Sequence, residues 1–243
     1  MQERCPWLEE VDSEFVRSHA NDTTETFTDL LARAAESRLE GNAVRAIQRM
    51  NQAWLLKPED PRCYAAFGGI LAQTLDSLSS EAPTDTFDTF FAPNPTLLRL
   101  SSLYFLQEAL VRGMDTVESL QQAGIASLAA AWDLLDTGET LADIVIQTEG
   151  LENVTTDLLI REAVSLLNDA LVRQNASSST LWALTLVSDA STRMTRGDWS
   201  GAREDHRLAT TYVKGDTPSH SESLSWFYVV LQRLDAFLSQ HDP

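Results

Sequence analysis

The side chains with which this sequence of 243 residues can do chemistry are four histidines, two cysteines and a large surplus of carboxylates. His19, His206, His220 and His241 each stand alone, with no cysteine or second histidine at a zinc-ligand spacing. A thiol–imidazole dyad can be drawn from Cys5 or Cys63 to any of them, but no local signature supports one. The denser acidic positions are Glu9-Glu10, Asp85 with Asp88, and Glu204-Asp205, which runs into His206. The last of these has the right groups for acid–base transfer. In a chain with 36 acidic residues, such a run is also what a solvated helix face beside a turn looks like. The patterns HExxH, GxSxG, GxxxxGK[ST] and CxxC are all absent. The sequence thus assigns no catalytic residue, no metal ligand and no cofactor, and the expected role is non-catalytic.

The elements that must position any site are helical by composition. Leucine and alanine dominate the apolar residues, while glycine (10) and proline (8) are scarce. The formal charge of −18 disfavours nucleic acid, whose binding rests on neutralised phosphates, and anionic membrane surfaces for the same reason. A cationic partner surface would be attracted. No apolar run approaches the ~18 residues of a membrane span, and Met1–Trp7 lacks a signal-peptide core. Cys5 and Cys63 leave the compartment open. A disulfide between them would imply export, and two free thiols would suit the cytoplasm.

Apolar spacings of three and four residues recur along the chain. Residues 1–23 read as an irregular segment and 24–243 as a single helical domain of about ten helices. Phe27, Leu30, Leu31, Ala34 and Leu39 form the first run, broken at Gly41-Asn42. Val44 to Leu56 form the second, stopped by Pro58, and Pro61 opens the third. Residues 79–96 read as an irregular insertion that carries Phe87, Phe90 and Phe91, which can serve as a contact site or as anchors to the core. Helices are expected again from Leu97, from Val117, over 139–147, from Thr156, from Leu181, from Trp199 and from Ser223. No strand pattern is present.

Residues 27–58 resemble a tetratricopeptide repeat, a helix pair of about 34 residues. The matching residues are Leu30 and Ala34 on the first helix, Gly41 at the turn, Ala46, Met50 and Ala53 on the second helix, and Pro58 at the close. Tyr64, Phe67 and Gly68 begin a second unit that stops matching after residue 79. Residues 183–214 resemble the family again through Ala190, Gly197, Ala202 and Ala209, with Asp198-Trp199 after the glycine, but depart from it at Arg193 and Lys214. Helical hairpins without the signature lie between, over 97–174.

The resemblance implies an all-α, right-handed array of antiparallel helix hairpins whose first helices line a concave groove for a protein or peptide partner. Carried over, the groove residues are Thr28, Leu31, Ala35, Arg38 and Leu39, then Arg62, Ala65, Gly69, Ala72 and Gln73. Arg38 and Arg62 would clamp a carboxylate or an acidic segment, or else each would pair with a nearby acid such as Glu36 or Asp60. The expected function is a scaffold or adaptor, with Leu31, Arg38, Arg62 and Gln73 in the groove and Phe90 and Phe91 on the insertion. Two alternatives stay open: an exported, periplasmic accessory protein of bacteria that binds a transporter component or a small ligand, and an unrecognised enzyme.

Overall fold

The computed structural model describes residues 23–80, 95–137, 155–174, 179–215 and 223–240, together with Phe15 and Ser18. Among these residues there are nine helices and no strand. They are α1 (Thr23–Leu39), α2 (Ala43–Leu56), α3 (Pro61–Ser80), α4 (Pro95–Val111), α5 (Val117–Thr137), α6 (Thr156–Arg173), α7 (Ser179–Thr195), α8 (Trp199–Gly215) and α9 (Ser223–Gln240). None is long and apolar enough to cross a membrane. The expected insertion at 79–96 is shorter at both ends, because α3 continues through Ser80 and Pro95 opens α4. Its core, with Phe87, Phe90 and Phe91, lies outside the described residues, as does the short helix expected over 139–147.

Local chemistry explains the boundaries. Gly41 has φ +74° and Gly197 has φ +76°, a region that costs a side-chain-bearing residue energy. Around each, the chain closes in the same way. Asn42 N–H donates to the Ser37 carbonyl at 2.8 Å, and Asp198 N–H donates to the Arg193 carbonyl at 2.9 Å. The residue after the glycine then caps the next helix: Asn42 Oδ1 accepts from Arg45 N–H and Asp198 Oδ1 from Gly201 N–H, both at 3.0 Å. Thr155 caps α6 in the same manner. Lys57 ends α2 where Pro58 forbids another turn.

The helices pack as neighbours in order, α1 with α2, α3 with α4, α5 with α6, and α7 with α8. The odd-numbered helices also touch one another in sequence, α1 with α3, α3 with α5, α5 with α7 and α7 with α9. Among the described residues the even-numbered helices form no comparable row. Each even helix buries two small residues seven positions apart: Ala46 and Ala53, Ser102 and Ala109, Ala163 and Ala170, Ala202 and Ala209, none more than 1% exposed. Small side chains at that interval lie on one helix face and let the backbones approach. Gly68 and Gly124 do the same from the odd helices. A Cβ on Gly68 would stand 2.6 Å from Leu106 Cγ, and one on Gly124 would stand 2.8 Å from Leu167 Cγ.

Candidate functional face

The odd-helix row presents one face to which α1, α3 and α5 all contribute. Arg38, in the last turn of α1, lays its guanidinium against α3 at Gly69. The position a Cβ would take on Gly69 is 2.9 Å from Arg38 Nη1 and 4.0 Å from Gln122 Oε1 of α5. The missing side chain is therefore what admits the guanidinium, and three successive odd helices meet there. Gln122 is held in turn by Glu118, to which it donates at 3.3 Å. Leu31 is half-buried two turns before Arg38, on the same side of α1, and packs against the core of Phe27, Met50 and Phe67. Toward the start of α1 the surface holds a shallow depression lined by Thr24, Glu25, Thr28, Asp29 and Ala32.

Arg62 takes the other course left open by the sequence. Its Nε and Nη2 donate to the two oxygens of Asp60 at 2.9 and 2.8 Å. Those hydrogen bonds hold the Asp60 carboxyl below the usual carboxylate range, against the opposing effect of burial. The guanidinium also lies over the ring of Phe27, 4.8 Å from its centroid. Phe27 and Arg38 are eleven residues apart on α1, roughly 16 Å at 1.5 Å per residue. The two arginines thus meet different turns of the array, Arg62 beside Phe27 and Arg38 beside Gly69. The side chain of Gln73 and the rings of Phe90 and Phe91 lie outside the described residues.

The run Glu204-Asp205-His206 separates into three unrelated contacts. Glu204 pairs in solvent with Arg207, at 2.8 and 2.6 Å. Asp205 turns to Arg193 Nε at 2.7 Å, and Arg193 also holds Asp198 at 2.9 Å. His206 faces α9, with Nε2 3.2 Å from the Leu231 carbonyl oxygen and Nδ1 4.0 Å from Asp235. Burial, with the charge of Asp205 added, raises the pKa of Asp189 despite Arg193. Among the described residues no group of three or more metal-binding side chains assembles. Cys63 is a free thiol with no exposed surface, and burial pushes its pKa up to about 12. Cys5 lies outside the described residues.

Sequence reasoning missed one charged cluster. Asp133 on α5 accepts from Arg99 Nε of α4 at 2.5 Å and lies 3.5 Å from Arg233 Nη1 of α9. On a sequence each of these reads as an ordinary polar position of an amphipathic helix, and nothing in their spacing announces that they meet. Comparison with protein-family models, with curated proteins and with solved structures finds no match to this chain.

Proposed function

We propose that the chain is a non-catalytic adaptor, built in the manner of tetratricopeptide repeats, that docks a protein segment on its odd-helix face. The observation that carries this reading is the opening at Gly69, where a guanidinium from α1 is received by α3 and bordered by α5. The two outer hairpins support the repeat reading. Ala34, Gly41, Ala46 and Ala53 have the same spacings as Ala190, Gly197, Ala202 and Ala209, the alanines are all buried, and both glycines have positive φ. Ala65 and Ala72 share the helix face of Gly69 on α3 and are half-buried, and Leu31 and Ala35 share the helix face of Arg38 on α1. Such a floor suits a segment that lies along it, with Arg38 to fix a carboxylate or a carbonyl.

The test is affinity capture and titration with three full-length baits: wild type, Arg38→Glu and Arg62→Glu, each checked for helicity by circular dichroism. A partner bound by the wild type should bind Arg38→Glu at least about tenfold more weakly, a loss of about 1.4 kcal/mol. Arg62→Glu should lose less, since Arg62 already serves Asp60 and Phe27. Equal affinity of the wild type and Arg38→Glu for that partner would refute the docking site.

A further inference from the structure

α9 departs from the order of the array. As its last member it touches α7 and α8, yet it also touches α3, and Arg233 reaches Asp133 on α5. It therefore meets three odd-numbered helices where an ordinary terminal helix would meet one. Val230, Leu231, Leu234 and Leu238 are buried at 0–7% exposure, while Gln232, Arg233, Asp235 and Ser239 are exposed. Phe237 stacks on Trp199 of α8 with ring centroids 6.1 Å apart. This is an amphipathic helix laid on a receptive surface through anchors one and two turns apart.

The charges say how the surface behaves without it. The side chain of Asp133 is only 13% exposed, and a carboxylate so enclosed is costly without a cation. Arg99 supplies that cation from within the array at 2.5 Å. Arg233 is a second cation, farther away at 3.5 Å and 41% exposed. If α9 leaves, Asp133 keeps Arg99 and turns a compensated carboxylate toward whatever replaces α9. The surface under α9 thus has an acceptor for one incoming guanidinium and apolar walls for a leucine stripe.

We propose that the face formed by α3, α5, α7 and α8 is a helix-docking groove, that α9 is its displaceable internal occupant, and that its external ligand is an amphipathic helix with an arginine placed as Arg233 is beside Leu234. The inference extends the adaptor reading to a second part of the array, but its readouts do not involve Arg38, so failure of one is distinguishable from failure of the other.

Two measurements on the full chain test it. In hydrogen–deuterium exchange of the wild type, amides of α9 should exchange at least about tenfold faster than those of α7 and α8, through opening of α9 alone. A fluorescent peptide with the sequence of residues 223–240 should bind the Arg233→Glu, Leu234→Asp double variant at least about tenfold more tightly than wild type, because the competing internal helix is weakened. The same peptide carrying Arg233→Glu should bind more weakly. Exchange of α9 in step with α7 and α8 would overturn the proposal, as would absence of saturable peptide binding by a double variant that retains native helicity. Where that variant fails to fold, the exchange experiment on the wild type decides alone.

Discussion

Adjacent glycines in α3 face different neighbours, and the same substitution at each should have opposite effects. Gly68 looks into the α3–α4 contact. A Cβ there would stand 2.6 Å from Leu106 Cγ, 2.9 Å from Leu106 Cδ2 and 3.0 Å from the Ser102 carbonyl oxygen. Neither neighbour can yield easily. Leu106 is 1% exposed, and the turn of Ser102 is tied to Gly68 by a hydrogen bond from its Oγ to the Gly68 carbonyl at 2.8 Å. Overpacking of this kind costs about 1–3 kcal/mol. Replacing a helical glycine by alanine returns about 0.4–1 kcal/mol through the unfolded chain. Gly68→Ala should therefore lose about 1–2 kcal/mol net, or roughly 2–8 °C in Tm for a chain of this size. At Gly69 the close neighbour is the far end of the Arg38 side chain, 2.9 Å away at Nη1. A long side chain moves aside at small cost, so Gly69→Ala should gain up to about 1 kcal/mol and raise Tm by roughly 2–4 °C. It should also weaken partner docking, because the guanidinium has been pushed off α3. Urea and thermal unfolding followed by circular dichroism at 222 nm would measure both stabilities. A loss at Gly69→Ala equal to that at Gly68→Ala would refute the assignment of the two faces of α3.

Two further outcomes are expected. Gly41→Ala and Gly197→Ala should each cost about 1 kcal/mol, and in the double variant the costs should add, because the turns are remote from each other and the strain is purely in the backbone; nothing lies within 4 Å of either Cβ position, so unequal or coupled losses in denaturant titrations would contradict the equivalence of the outer hairpins. Cys63 should make stability fall at high pH. Its folded pKa of about 12 exceeds the ordinary 9.0, so its contribution is intact below pH 9 and is lost between pH 9 and about 12, as the unfolded chain ionises first. The difference in stability between wild type and Cys63→Ala should shift across that window, and a difference that stays flat from pH 8 to 11 would show that the thiol is not buried as described.

What the sequence made legible was whatever is local. Gly41 was read as the turn between two helices and Gly197 as its counterpart in the last matching unit, and each stands in a turn with positive φ; that Asn42 and Asp198 cap the helices that follow is seen only in the structure. Arg62 and Asp60 are two positions apart, and their pairing was one of the two courses open to that arginine. The middle of the array was obscured by its connections. Ser102 with Ala109 on α4, and Ala163 with Ala170 on α6, keep the seven-residue small pair of the outer units. Residues 81–94 and 138–155 separate α3 from α4 and α5 from α6, so a search at a period near 34 passes over them. The cluster of Asp133, Arg99 and Arg233 was illegible for a different reason. Its members come from three helices, and charge on a helix face does not specify the partner.

Two ion pairs relate the middle pairs, α3–α4 and α5–α6, to each other. Arg112, just past the end of α4, lies 3.8 Å from Glu59 in the turn between α2 and α3 and stacks 4.0 Å from the Tyr64 ring centroid. Arg173, at the end of α6, pairs with Asp115 in the turn between α4 and α5 at 3.1 Å. In both cases a cation at an even helix's C-terminus, where the helix dipole favours it, reaches the acidic turn that leads into the odd helix of its own pair. Exposed ties of this sort each contribute little, and salt weakens them further. Their value as an argument is geometric, because the same relation occurring twice requires the same offset between successive pairs. The odd helices α1 to α7 then form one continuous face, with Arg38 toward its first end and Asp133 farther along on α5.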